Sequence, residues 1–276
     1  MNLFKLLKGK GNMSANDLPP IKNYPAWLWR IFRKVFVVVF FGIGTVIIGA
    51  IVFPILRLFN PKKTAFKKAG HKFISLVLDF YIHLMSWIRI STYKISDLKT
   101  MRNLRGCVIV ANHPSLLDVI YTLAFVRDAD CIVKAGLKKS LVSVIVKNLY
   151  ITNNIDFETM QKECVEALHN GGNLIIFPEG TRTPRHGTNQ YKKGAARIAL
   201  AAGANVQPMH IGGNDKYGLG KGESMLCVNH TERYKYEFTI LPQIQMSKYA
   251  GLSETIAAKR LTDDMRTAIE NGSSLC

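Results

Sequence analysis

One stretch governs what this chain can fold into. Val35–Leu56, VFVVVFFGIGTVIIGAIVFPIL, runs 22 residues without a charged side chain. As a helix it measures about 33 Å, enough to cross the hydrocarbon core of a bilayer. It starts too far into the chain, is too long and lacks the small-residue cleavage site of a removable leader. Its flanks are basic on both sides: Arg30, Arg33 and Lys34 precede it, and Arg57, Lys62, Lys63, Lys67, Lys68 and Lys72 follow. A single span ordinarily shows a charge difference between its ends. Two arrangements therefore stay open. One is a spanning helix. The other is a re-entrant or tilted hairpin with both ends on an anionic cytoplasmic surface, Gly42, Gly44, Gly49 and Pro54 permitting the bend.

A second helical pattern, Thr64–Ile90, repeats apolar residues at Phe66, Phe73, Leu76, Val77, Phe80, Tyr81, Leu84, Met85 and Ile88. The spacing predicts an amphipathic helix. Its lysine-rich start suits a bilayer surface, and its apolar face suits a cover for a globular domain; both readings stand. Trp27, Trp29 and Trp87 are candidate interface anchors.

Charge reinforces this organisation. The chain of 276 residues carries a net +18, and residues 1–72 hold thirteen Lys or Arg against one acid, Asp17. Such a segment can face nucleic acid or anionic lipid, and the adjoining apolar run favours lipid. No aromatic–basic RNA motif is present, so a nucleic-acid partner is not expected. The five cysteines, at 107, 131, 164, 227 and 276, form no metal-binding spacing and read as free thiols in a reducing compartment. Cys276 lacks the residues that follow the cysteine of a prenylation box.

From residue 106 the pattern changes. GCVIVA (106–111), CIVK (131–134), NLIIF (173–177), VQPMHI (206–211) and YEFTILP (236–242) read as strands. Between and after them lie helical segments: Pro114–Phe125 with proline in its first turn, a helix capped by Asp156 that runs to His169, Gly194–Ala202, and a last one opened by Ser253. The alternation predicts an α/β fold with a mixed, mostly parallel sheet flanked by helices, preceded by a membrane helix or helical hairpin. The expected divisions are a basic segment at 1–34, a hydrophobic membrane segment at 35–57, an amphipathic interfacial helix at 58–100 and the main domain at 101–276.

Functional residues in such sheets gather at the carboxyl ends of strands, and two polar strings stand there. Asn112-His113-Pro114-Ser115-Leu116-Leu117-Asp118 follows the strand at 106–111. Asp118, one helical turn into the next helix, can reach a ring nitrogen of His113. A carboxylate on one imidazole nitrogen fixes the tautomer and leaves the other nitrogen basic, the arrangement that deprotonates a hydroxyl. Phe177-Pro178-Glu179-Gly180-Thr181-Arg182-Thr183 follows the strand at 173–177, and Arg182 can grip a phosphate in a bidentate fork.

With NHPSLLD, FPEGTRT and the later strand VQPMHI in this order, residues 105–215 resemble the 1-acylglycerol-3-phosphate acyltransferase family, of the bacterial lysophosphatidate acyltransferase type. The resemblance implies that His113 takes the proton of an acceptor hydroxyl and that Asp118 orients His113. The freed oxygen attacks a fatty acyl thioester on acyl carrier protein or coenzyme A. It implies that Glu179, Gly180, Thr181 and Arg182 bind the acceptor, through a phosphate in the common case, and that Pro208 shapes the apolar pocket. No metal or redox cofactor is implied, only the thioester co-substrate. Ser115 lies outside any nucleophile elbow, so no acyl-enzyme is expected. The implied place of action is the cytoplasmic inner membrane, the site facing the anionic inner leaflet.

The family usually carries an arginine in a further block between these strings. The corresponding stretch, Lys147–Asn154, has none; Asn153 and Asn154 stand there and can hydrogen-bond without charge. This opens a second reading, in which the acceptor is a different lipid or a specialised conjugate of a fatty-acid-like pathway. A third is an inactive relative that binds lipid. Lys134, Lys138 and Lys139 are candidates for the missing charge. The glycine-rich Gly212–Gly222, with Lys216 and Lys221, reads as a mobile loop, a lid or a docking point for an acidic carrier, and Lys192–Lys193 can add positive potential.

Overall fold

The strands show strict alternation. In β2 the side chains of Ile109 and Ala111 enter one apolar cluster while Val108 and Val110 enter another, and all four residues are buried. A strand buried on both faces belongs in the middle of a layered α/β fold. The computed structural model, which describes residues 21–140, 142–153, 156–224, 227–229 and 232–275, has that architecture. Residues 1–20, Asn154, His230 and Cys276, on which some expectations fall, lie outside the described residues.

In chain order the elements are helix α1 (Tyr24–Ile47), a wide π-turn (Ile48–Val52), α2 (Phe53–Phe59), α3 (Lys63–Trp87), β1 (Ser91–Ile95), α4 (Leu98–Asn103), β2 (Val108–Ala111), α5 (Asp118–Phe125) and β3 (Ala129–Val133). Then come α6 (Ser143–Leu149), β4 (Ile151–Thr152), α7 (Phe157–His169), β5 (Asn173–Ile176), α8 (Gly194–Ala202), β6 (Val206–Gly213), β7 (Tyr234–Ile240) and α9 (Glu254–Asn271). The seven strands form one sheet in the order β1-β7-β6-β2-β5-β3-β4. Every neighbouring pair is parallel except β6 with β7. The mixed, mostly parallel sheet predicted from the alternation is therefore present. Helices α3 and α5 cover one face, and α7, α8 and α9 cover the other.

The apolar run is the core of a helical hairpin. Helix α1 continues through the π-turn into α2, making a single apolar helix from Tyr24 to Phe59 that is long enough to cross a membrane. The π-turn precedes Pro54, whose ring would clash with the carbonyl four residues back in a regular helix. Helix α3 folds back antiparallel: Tyr81 Oη donates to Val37 O at 3.1 Å near one end, and Phe53 packs edge-on against Phe66 near the other. Only 22% of the most apolar window of α1–α2 is buried, so this is not the core helix of a soluble domain. Trp29, Phe32, Phe36, Val39, Ile43, Ile47, Ile51 and Ile55 form an exposed apolar stripe along it.

Three differences from the sequence reading have physical causes. The sheet starts at Ser91, ahead of the boundary drawn at residue 101. β1 pairs with β7 from Ser91↔Tyr234 to Ile95↔Phe238. Helix α3 is not only interfacial. Ile82 and Met85 are fully buried and Ser75 Oγ donates to Ala124 O of α5, while Leu76, Phe80 and Trp87 stay exposed. The segment 114–117 is a turn, not the first turn of a helix, and α5 begins at Asp118. The bonds that hold this turn belong to the site.

Candidate active site

The local fold around His113 follows from where polar groups find partners at the end of β2. The Asn112 side chain imitates backbone: its Nδ2 donates to Ile211 O at 2.9 Å and its Oδ1 accepts the Ile211 N–H at 2.7 Å. That holds the residue after β2 against β6. The chain then turns, and the Asp118 carboxylate folds back over it. Asp118 Oδ2 accepts the Ser115 N–H at 2.6 Å, Oδ1 accepts the Ser115 hydroxyl at 2.5 Å, and Oδ2 also takes His113 Nδ1 at 2.9 Å. The backward reach of a carboxylate to an N–H three residues earlier is the geometry of a capping box. This bond ties the turn at 114–117 to the start of α5 at Asp118. Asp118 is completely buried, and its charge sits at the amino end of α5, where the helix dipole favours an anion.

The imidazole is fixed from two sides. Its ring stacks on Phe177, centroids 4.3 Å apart, and its Nδ1 faces Asp118. Among the described residues no group bonds Nε2. An ionised Asp118 requires the proton on Nδ1, so the Nε2 lone pair is the free base. Behind the pair, Tyr236 Oη and Ser115 Oγ are 2.8 Å apart, which extends the chain of hydrogen bonds to a strand on the far side of β6. Burial drives the Tyr236 phenol well above its ordinary range, so it remains a donor. Ser115 itself is fully buried with its hydroxyl engaged, which removes it as a nucleophile.

The second string is tied to the first through backbone. Thr183 N–H donates to His113 O at 2.7 Å, and His113 N–H donates to Thr183 Oγ1 at 3.1 Å and Glu179 Oε1 at 3.3 Å. Glu179 is buried and its carboxylate is occupied by the protein: Oε1 also accepts from Thr183 Oγ1 at 2.5 Å, and Oε2 from Asn189 Nδ2 at 2.7 Å. Its place in the structure is to clamp the two loops. Gly180 has φ +65°, the left-handed conformation that favours glycine, and an added Cβ would lie 3.1 Å from the movable Lys192 Nζ. Thr181 is half-buried beside it.

Arg182 lines a cleft of about 490 Å³ bounded by residues 182–189 and 211–223, with Pro114 in its wall next to His113. One guanidinium nitrogen, Nη1, donates to Leu219 O at 2.8 Å and Gly220 O at 2.7 Å. Burial lowers the Arg182 pKa from its ordinary value, and the charges of Glu223 and Asp118 oppose that shift. Arg185 is neutralised in the same wall by Asp215 and by Glu223 at 2.7 Å. Lys216 is buried over the Tyr236 ring, 4.7 Å from its centroid, and burial pulls its ammonium down to about 8. Among the described residues no carboxylate lies at salt-bridge distance from Arg182 or Lys216. The cleft is therefore net cationic.

The sequence-predicted residues divide into two groups. His113, Asp118, Glu179, Gly180 and Arg182 come together at the ends of β2 and β5. Asn153 follows β4 at the edge of the sheet, is exposed and accepts the Ala135 N–H at 3.0 Å; it does not line the cleft. Pro208 is buried in β6 opposite Val110, its carbonyl accepting the Leu241 N–H, and does not line the cleft either. Sequence reasoning missed Ser115 as a partner of Asp118, Thr183 and Asn189 as partners of Glu179, and Tyr236. Ser115 and Thr183 stand inside the motif strings, where a hydroxyl three or four residues from a carboxylate is a readable signal. Tyr236 gave none, because only pairing of β7 with β6 brings it near.

The mixed, mostly parallel sheet thus carries, at the adjoining ends of β2 and β5, a histidine–aspartate pair and an arginine that follows a glycine turn. The Acyltransferase family model matches residues 92–212, which hold both strings. The chain is 30% identical to the chloroplastic 1-acyl-sn-glycerol-3-phosphate acyltransferase BAT2 of Brassica napus, over 58% of this chain and 51% of that one. It is 33% identical to the lyso-ornithine lipid O-acyltransferase of Pseudomonas aeruginosa, over 37% of this chain and 41% of that one. The crystal structure of the 1-acyl-sn-glycerophosphate acyltransferase PlsC from Thermotoga maritima shares the fold. Its TM-score is 0.61, at 23% identity, covering 91% of this chain and 95% of that one. The chain is thus similar to 1-acyl-sn-glycerol-3-phosphate acyltransferases across the part that the Acyltransferase model matches. It spans about half the length of the curated plant relatives it matches.

Proposed function

We propose that the protein is a membrane-bound O-acyltransferase that moves a fatty acyl group from a thioester to the hydroxyl of a lysophospholipid-type acceptor. The observation that carries this reading is the His113–Asp118 pair, bonded through Nδ1 with Nε2 unpartnered. In the proposed reaction Nε2 takes the acceptor hydroxyl proton as the oxygen attacks the thioester carbonyl. The tetrahedral intermediate collapses with loss of thiolate, and the imidazolium returns its proton to the sulfur. Asp118 stabilises the imidazolium in between. Arg182 and Lys216, cationic in the cleft, favour an anionic acceptor group. The thioester carrier is acyl carrier protein or coenzyme A. The exposed apolar stripe of α1–α2 and the basic flanks support a site on the anionic, cytoplasmic face of the inner membrane.

A second acceptor class is favoured by a specific observation. Asn153 occupies the block where the family usually carries an arginine, and a matching relative is named for acylating lyso-ornithine lipid. The experiment that separates the readings uses detergent-purified enzyme, both thioester donors, and a panel of lysophosphatidate, other lysolipids, glycerol 3-phosphate and a whole lipid extract. Products are identified by mass spectrometry, with His113→Ala as control. Lysophosphatidate converted to phosphatidate is the expected result. Ester formed only on another acceptor reassigns the substrate, and no His113-dependent ester on any acceptor leaves an inactive, lipid-binding relative.

A further inference from the structure

Lys34 is a buried ammonium, 4% exposed, at the point where the basic flank of α1 meets its apolar run, and its hydrogen bonds go to backbone carbonyls. Its Nζ donates to Gly218 O and Cys227 O, each at 3.0 Å. Among the described residues no carboxylate pairs with it at salt-bridge distance. A charge buried against two carbonyls is a weak source of stability, because an apolar side chain of the same size does as well. What such a lysine supplies is position.

The position it sets is that of a segment joined to the site. Gly218 has φ +77°, and a Cβ there would lie 1.8 Å from Cys227 O and 2.6 Å from Lys34 Nζ, so the backbone must come this close. The next two residues turn their carbonyls the other way. Leu219 O accepts the Leu116 N–H at 3.0 Å and Arg182 Nη1 at 2.8 Å, and Gly220 O accepts Arg182 Nη1 at 2.7 Å. Glu223 closes the loop by accepting the Gly218 and Gly220 N–H groups at 2.6 and 3.1 Å. Three consecutive residues thus link the hairpin helix to both motif loops.

We propose that Lys34 is a positioning residue for Arg182. By holding the 218–220 segment from the hairpin side it fixes the carbonyls that aim the Arg182 guanidinium into the cleft, so that hairpin and acceptor end of the site are set as one unit. The kinetic part of this proposal rests on the acyl-transfer reading above.

The test uses the full chain carrying Lys34→Met, which keeps the aliphatic stem and removes the ammonium. Hydrogen exchange of the Gly218 and Gly220 amides is expected to accelerate about tenfold while amides of α9 stay unchanged. Acceptor KM is expected to rise about tenfold with donor KM unaltered, and this rise is expected to vanish in an Arg182→Ala background. Unchanged exchange at 218 and 220 would overturn the proposal, and so would acceleration throughout the molecule, which would make Lys34 a general stabiliser. An equal rise in donor KM, or a full additive effect beside Arg182→Ala, would overturn it as well. Should the unaltered chain transfer no acyl group, the functional reading falls while the amide exchange still decides on Lys34.

Discussion

At the residue scale the proposed reaction depends on one ring nitrogen and the groups that define it. Replacing His113 with alanine removes the imidazole bonded to Asp118 and is expected to lower kcat about a thousandfold. Asp118→Asn keeps the volume but no longer demands the proton on Nδ1, and a loss of comparable size is expected in the same steady-state assay. Tyr236→Phe removes one hydrogen bond behind Ser115 without touching substrate; kcat is expected to fall about fivefold with acceptor KM unchanged. Lys216 gives a pH signature. Its ammonium titrates at about 8 in the folded chain against 10.5 ordinarily, because it is buried. Below pH 8 both states hold the proton and the burial cost weighs fully on the fold. Between 8 and 10.5 the unfolded chain binds the proton that the folded chain has shed, so this group makes stability rise with pH. Denaturant titrations from pH 7 to 10.5 are expected to show wild type gaining on Lys216→Met across that window.

At the scale of elements the site is two strand ends tied by backbone. The bonds from Thr183 to His113 and from Glu179 to both mean that the turn at 177–180 sets the histidine loop as well as its own arginine. Gly180→Ala forces a side chain into the left-handed region and against Lys192, and a loss of about 1–3 kcal/mol in unfolding free energy is expected by denaturant titration. The cysteines at 107, 131, 164 and 227 form no disulfide among the described residues and are buried, and burial raises their thiol pKa to between about 11 and 12. They are structural parts of the layers around the sheet and not reactive groups.

At the scale of the whole molecule the hairpin and the sheet are one packed object with two kinds of surface. One face of α3 belongs to the core, and the outer face joins the exposed stripe of α1–α2. Phe36, Val39 and Ile43 lie on that stripe, away from the core, so replacing all three with lysine is expected to leave the fold in place. Vesicle partitioning is expected to fall at least about a hundredfold, measured by flotation with anionic liposomes, while circular dichroism stays the same.

What the sequence determined by itself is local. The length and purity of the apolar run, the period-two strands β2 and β5, the Asp156 cap, whose Oδ1 accepts the Thr159 N–H, and the α8 stop at Gly203 are readable because each rests on neighbours within a few residues. The histidine–aspartate pair was legible for the same reason, five residues apart on one turn. The tertiary structure decided the rest, because the partners are remote in the chain. β1 reads as a weak polar segment, STYKI, and becomes a strand only when β7 supplies its hydrogen bonds. Tyr236 reaches Ser115 across 121 residues, and Lys34 reaches Cys227 across 193. Glu179, which the sequence offered as a ligand for the acceptor, is turned inward because Thr183, Asn189 and the His113 N–H meet it first. Local pattern gave the chain its elements and its base; burial and long-range hydrogen bonding decided which polar groups hold the site and which face it.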